Sequence, residues 1–373
     1  MNGTVFLDPA ACRIRQQRIR DWMEQAHLDL AIVVSPESIE YLTGLRWDFR
    51  FSPVAALGAD GQMVLICPDK PVTSTAIDEV RTYEAKWKST LRNDQRAASS
   101  AILADWLTSR KAAGRVGVEF SACPPHVSQL LQEAELVDLE PELLRCRRKK
   151  DADEVACLRQ AIAATEAMYQ KAREIIRPGL SELEMFSALQ AAAVEACGEM
   201  LTGTGNDYAS GVRGGPPRDR CCQAGELYIL DLGPAYRGYF ADNARTLSVD
   251  GQPTESQLAA WQHVCGALEL VERRGKAGVR CRDIYAEVED WLGSATVGSW
   301  SSHLGHGIGL SVHETPHLNP NWDDTLEVGD VIAVEPALYA PELQCGMRIE
   351  NDYLVTETGL ELLSPFPLEL TTP

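Results

Sequence analysis

The sequence predicts two domains: a small α/β domain over residues 1–150, then an α+β domain over residues 151–373. Three observations carry the prediction. At roughly 150 residues per domain, a chain of 373 residues makes about two. Up to about residue 145, short β-rich runs alternate with helical segments. Beyond residue 150, a unit of two helical stretches followed by a strand pair occurs twice, although the two copies share no evident sequence identity.

In the first domain, residues 15–24 read as a charged helix with apolar positions at Ile19, Trp22 and Met23. Residues 30–34 form a β-rich run closed by Ser35 and Pro36, and 63–67 and 116–119 read as further short strands. A basic cluster (Arg145, Arg147, Arg148, Lys149, Lys150) then gives way to Asp151, Asp153 and Glu154. Acidic side chains in a first turn complement the positive end of a helix dipole, so a helix start and the domain boundary fall here. Val155, Leu158, Ile162, Ala172, Ile175 and Ile176 make the apolar stripe of that helix, and Pro178 with Gly179 stops it. Ser181 and Glu184 form a capping box that opens the next. Helices over 152–177 and 181–197 precede a strand pair at 227–249. Helices over 255–273 and 281–293 precede a second pair at 330–356.

Composition excludes several roles. With 35 basic and 54 acidic side chains the formal charge is −19, which repels phosphate backbones and anionic lipid; neither nucleic acid nor a membrane is an expected partner. No apolar run approaches the roughly 20 residues that cross a bilayer. Met1 to Thr4 carry no basic-then-apolar signal, and Asn2 stands where myristoylation needs glycine. Eleven scattered cysteines, an odd number without a CxxC pair, read as reduced thiols of a cytoplasmic protein and not as a disulfide or thiolate-zinc framework.

The chemistry lies in the strand pairs. Asp231 and Asp242 are equidistant from a turn centred between Tyr236 and Arg237, and Glu335 and Glu350 from one centred between Glu342 and Leu343. Residues equidistant from a hairpin turn face each other with Cβ atoms about 4.5–5.5 Å apart. Ile229 and Leu230 before Asp231, and Ile332, Ala333 and Val334 before Glu335, mark these strands as buried. Four inward carboxylates need compensating charge, and Arg348 supplies only one. Four of the seven histidines crowd into one stretch: His303, His306, His313 and His317. Gly305 and Gly307 flank His306 and allow close approach of a bound group. Four carboxylates and an imidazole suit a pair of divalent ions such as manganese, cobalt or zinc better than one tetrahedral structural zinc.

These residues resemble the pita-bread metallopeptidases: Xaa-Pro aminopeptidases, prolidases, methionine aminopeptidases and creatinase. The resemblance rests on Asp231-Leu-Gly through Asp242-Asn-Ala-Arg-Thr, on Gly-His306-Gly-Ile-Gly through His313-Glu, on Val-Glu335-Pro-Ala-Leu-Tyr, and on Gly-Met-Arg-Ile-Glu350-Asn-Asp. Glu40-Tyr41-Leu42-Thr43-Gly44 and Leu144-Arg145 resemble the prolidase and creatinase branch, so the likeness covers nearly the whole chain. It implies a pseudo-two-fold curved antiparallel sheet flanked by helices, preceded by a creatinase-like domain, in a homodimer.

The resemblance also implies roles. Asp231 would chelate one ion, Asp242 and Glu350 would bridge both, and His306 and Glu335 would hold the second. His313 would contact the substrate carbonyl, and Arg348 would support the bridging carboxylate from behind. The implied reaction is cleavage of a C–N amide bond in an Xaa-Pro peptide, with a metal-bridging hydroxide as nucleophile and Glu335 as proton shuttle.

The sequence departs from the family at three points. Arg213 stands where the peptidases carry a substrate-binding histidine, and its spacing to Asp231 is one residue longer. Ser302 occupies a position often held by histidine, with His303 one residue later. Ala244 replaces a usual threonine. Arginine presents a planar fork suited to carboxylates and does not exchange protons, so Arg213, with Arg218 or Arg220, is a candidate reader of an anionic substrate group; solvation of these arginines in a loop is the equal alternative. His303 and His317 are further candidates for the substrate pocket. The other functional readings are the same site acting on a small non-peptide amide or anionic molecule, and an inactive binding module of the same fold.

Overall fold

The runs read as strands in the first half are apolar at every position but Glu119, the pattern of strands covered on both faces. The structure, a computed structural model, describes residues 6–371 apart from 70, 71, 73, 111–113 and 206; Met1 to Thr4 lie outside the described residues. Two compact units divide the chain at Met1–Arg147 and Arg148–Pro373. In the first, Leu30–Val33 and Val54–Gly58 are buried throughout and sit at the centre of a six-stranded mixed sheet. Ile32, Val54, Val64, Leu103, Trp106 and Val116 fill its core. Asp8 caps the helix Pro9–Gln25 by accepting the Ala10 N–H at 2.9 Å, and Ser35 caps Pro36–Thr43, which Gly44 ends in the left-handed region.

The second unit has the expected duplicated order. Helices Ala152–Ile175 and Glu182–Cys197 precede a first hairpin, Leu227–Leu232 with Asn243–Ser248. Helices Glu255–Arg274 and Cys281–Gly293 precede a second, Val331–Val334 with Asn351–Val355. Asp151 with Glu154, Ser181 with Glu184, and Thr254 with Gln257 form capping boxes at three of the four helix starts. The core of the second half is built from Val264, Leu268, Ile284 and Val288 on the helices against Ile332, Val334 and Tyr353 on the strands. On the other side, the Tyr169 hydroxyl lies 3.0 Å from the Leu230 carbonyl and 2.6 Å from that of Asn243, tying the first helix across both strands of its hairpin.

Register separates the two hairpins. In the second, Val334 pairs with Asn351, and Ala337 with Arg348 across the next ladder, so Glu335 and Glu350 fall opposite each other between the two ladders, as expected. In the first, Asp231 pairs with Ala244, not with Asp242. The turn is centred on Arg237 and Gly238, one residue later than expected, because both take positive φ (49° and 85°) in a two-residue turn that pairs Tyr236 with Tyr239. The one-residue shift of the turn moves the register by two, leaving Asp231 and Asp242 diagonal on one face. The hairpins then meet edge to edge: the Glu350 N–H donates to the Ala244 carbonyl at 2.9 Å, and Thr246 Oγ1 accepts the Arg348 N–H at 3.0 Å. This seam brings the two carboxylate pairs together.

Candidate metal centre

Each expected ligand stands in or at the end of a strand. Asp231 is inside the first hairpin and Asp242 directly precedes its return strand; His306 is central in Gly305–Gly307; Glu335 and Glu350 flank the ladder of the second hairpin. Exposures are 6% for Asp231, 4% for Asp242, 1% for His306, 9% for Glu335 and 1% for Glu350, so none of the four acids points to bulk water. Asp231, Glu335 and Glu350 bring one carboxylate oxygen each within 4.8 Å of one another. Asp242, His306 and His313 form a second such group, and His303, His306 and Glu335 a third.

The electrostatics of this cluster favour a bound cation. Burial pushes the Asp231, Asp242 and Glu350 carboxyls up, and mutual repulsion pushes Asp242 and Glu350 further. Asp231 Oδ1, both oxygens of Glu350 and His306 Nε2 are buried without a hydrogen-bond partner. The histidine is the most telling. Its Nδ1 lies 3.0 Å from the Gly307 carbonyl, so that nitrogen donates and Nε2 is the ring atom turned toward the carboxylates. Nε2 faces Glu335 Oε1, 3.4 Å away, and Asp242 Oδ2, 3.8 Å away. Buried carboxylate oxygens without a donor, beside an imidazole nitrogen, fit a site for divalent cations, and the oxygen-rich set with one imidazole is that of hard or borderline ions.

Of the remaining candidates, His303 and His313 adjoin this centre. The His313 ring stacks on His306 at 3.6 Å between centroids; desolvation and the neighbouring His306 push its pKa down to about 4, so it is neutral at pH 7. His303 Nε2 lies 2.7 Å from Glu335 Oε1. This contact raises the pKa of His303, and at Glu335, where burial raises the carboxyl, His303 and His306 together outweigh it and hold the group well below its usual range. His317 turns aside: its Nδ1 meets Asp324 Oδ2 at 3.0 Å and its ring stacks on Trp322. Arg213 is exposed, with its guanidinium carbon 4.1 Å from the centre of the Tyr339 ring.

Three expectations are corrected. The ion pairs of Arg348 are with Asp207 and, at 3.2 Å, with Asp231, which is the chelating carboxylate of the expected set and not one of the bridging pair. The seam explains this, since Arg348 precedes Glu350 by two residues and reaches across to the first hairpin. Arg218 and Arg220 are not free to meet a substrate: both pair with Glu182, and Arg220 also with Glu226 at 2.8 Å. The glycines beside His306 make room for backbone instead of a bound group. A Cβ at Gly305 would lie 2.1 Å from the Ala333 carbonyl oxygen and one at Gly307 2.2 Å from that of Thr315.

Sequence reasoning missed Asp207, Tyr339 and the buried pair of Lys150 with Glu314 at 3.0 Å. Their partners lie far along the chain, and no spacing pattern signals them.

Fold and donor set together define a class: a pita-bread metallohydrolase carrying a creatinase-type first domain. The model of metallopeptidase family M24 matches residues 156–357, and that of the creatinase/prolidase N-terminal domain matches residues 15–149. The chain belongs to metallopeptidase family M24. The uncharacterized peptidase YqhT of Bacillus subtilis is 27% identical over 96% of this chain and 99% of its own length. Among solved structures, the Xaa-Pro dipeptidase from Bacillus anthracis superimposes with a TM-score of 0.82 at 24% identity, covering 96% of this chain and 99% of its own. The prolidase from Pyrococcus horikoshii OT3 does so with 0.80 at 22%, with the same coverage. Among the described residues, no helix is long and apolar enough to cross a membrane.

Proposed function

We propose that this member of the family is a dinuclear-metal peptidase that cleaves the C–N amide bond of Xaa-Pro peptides, as an aminopeptidase or a dipeptidase. The observation that supports the reading is the clustering of four buried carboxylates and His306 into three neighbouring groups linked through Glu335 and His306. Asp231 would hold one ion, Asp242 and Glu350 both, and His306 with Glu335 the second. Manganese is the proposed ion, with cobalt and zinc as substitutes. Ions held there would supply an activated water as nucleophile and Lewis-acid polarisation of the scissile carbonyl.

The side chains do the rest. Glu335, hydrogen-bonded by His303, takes up a proton and passes it to the leaving nitrogen. Neutral His313 retains a ring N–H with which to donate to the carbonyl oxygen as charge develops there. Arg348 fixes Asp231. The eleven unbridged cysteines agree with a cytoplasmic protein, and the family resemblance with a homodimer. The test is turnover of a panel of Xaa-Pro dipeptides and longer peptides by protein loaded with manganese, cobalt or zinc. Cleavage at the Xaa-Pro bond is expected, with uptake of about two ions per chain. Full metal uptake without cleavage of any peptide would overturn the peptidase reading in favour of a small non-peptide amide.

A further inference from the structure

We infer that Arg213 is a specificity-determining residue that reads a carboxylate on the substrate, an inference that rests on the peptidase reading. The loop that carries it is built onto the metal centre. The Asp207 backbone pairs with Asp231 in both directions, at 3.1 and 3.2 Å. Its carboxylate accepts the Gly215 N–H at 2.7 Å through one oxygen and meets Arg348 through the other. The Tyr208 N–H closes the loop by donating to the Gly215 carbonyl at 2.8 Å. Arg213 therefore sits near the tip of a loop whose ends are locked to a strand bearing a ligand.

Its neighbours leave Arg213 as that loop's available charge. Arg218 and Arg220 are engaged by Glu182 and Glu226. Among the described residues no carboxylate lies within ion-pair distance of Arg213, in a chain of net charge −19. Its guanidinium instead lies over Tyr339, in the strand Ala337–Tyr339 that pairs with Met347–Arg348 and starts two residues after Glu335. Tyr339 holds the guanidinium through its ring face and through a hydrogen bond to its hydroxyl, and the remaining N–H groups of the fork are left to grip a carboxylate. Holding it beforehand reduces the ordering required when substrate binds. A guanidinium stays protonated at working pH, so its role there is recognition and not proton transfer.

The carboxylate has two possible sources, a free C-terminus or an acidic side chain, and paired substrates separate them. Manganese-loaded full-length protein is assayed on Ala-Pro against Ala-Pro-amide, and on Ala-Pro-Glu-amide against Ala-Pro-Gln-amide. In one pair the charged member is favoured by at least about tenfold in kcat/KM, the scale of one charge-assisted hydrogen bond. R213A removes that preference through KM and leaves the neutral member within about threefold; R213K keeps part of it, retaining the charge without the fork. A preference in the first pair assigns the C-terminus, one in the second the side chain. Equal losses on charged and neutral members, or no preference in the wild type, overturn the inference.

Calorimetry with N-acetylproline and its carboxamide, and with the N-acetyl amides of glutamate and glutamine, gives a readout independent of turnover. Tighter binding of a carboxylate that R213A abolishes supports Arg213 even if no peptide is cleaved. Failure of cleavage alone counts against the peptidase reading and not against this one.

Discussion

Lys150 was legible in the sequence only as the end of a basic cluster at a helix start. In the structure its ammonium lies 3.0 Å from Glu314, both side chains are buried, and Glu314 also accepts the Ser311 N–H at 3.0 Å. Glu314 follows His313 directly, so the pair anchors the segment that delivers His313 to the centre. Removing one partner of a buried pair leaves an uncompensated charge, which costs about 3–5 kcal/mol, whereas removing both charges costs much less. Lys150→Met is therefore expected to lose stability on that scale in urea unfolding of the metal-free protein, and adding Glu314→Gln to recover most of it. A loss under about 1 kcal/mol in the single variant, the range of exposed pairs, would show that the pair is solvated in solution.

At the scale of elements, the hairpins show which geometry a sequence discloses. Glu335 faces Glu350 because a ladder with no shift in register continues on both sides of them, and counting from the turn suffices. Asp231 and Asp242 miss direct opposition because a turn at Arg237 and Gly238 fits the strand twist only with positive φ at both residues, and its position depends on that local geometry. The burial of the four carboxylates was legible from apolar flanks and spacing. Asp207, Tyr339 and the binding of Arg218 and Arg220 to Glu182 and Glu226 were not, since they depend on how distant segments pack. The strands Glu79–Tyr83 and Glu135–Asp138 were missed because they are partly exposed and carry charge, without the apolar run that marked their neighbours. The strand Gly305–Gly307 lies between two others, and its glycines set the separations. A Cβ at Gly307 would overlap the Thr315 carbonyl oxygen, so Gly307→Ala is expected to cost about 1–3 kcal/mol as an overpacked site. It should also weaken manganese uptake, because His306 rides on the displaced strand. Unchanged melting and unchanged uptake would show that the strands part without strain.

Over the whole molecule, the carboxylate cluster couples folding, protons and metal. In metal-free protein burial raises the Asp231, Asp242 and Glu350 carboxyls above their usual range. Between the ordinary carboxyl pKa of about 4 and those raised values, the native state holds protons that the unfolded chain has lost. Stability therefore falls as pH rises through that window. His303 adds the same sign above 6.5, since its own pKa is raised by Glu335; the stability it contributes is present below 6.5 and lost as pH passes its folded value. Glu335 runs the other way, but its depressed pKa confines that effect to more acidic solution. Divalent ions bind the deprotonated carboxylates, so uptake near pH 6.5 should release protons and raise stability in proportion to the logarithm of ion concentration. The expected result is a melting temperature that falls between pH 5 and 7.5 for chelator-stripped protein and falls much less with manganese present. Calorimetric heats of manganese binding should also vary with the ionisation enthalpy of the buffer. Parallel pH profiles with and without metal, together with buffer-independent heats, would mean that the acids are already ionised and compensated within the protein, and the case for a metal centre would fail on its own electrostatics.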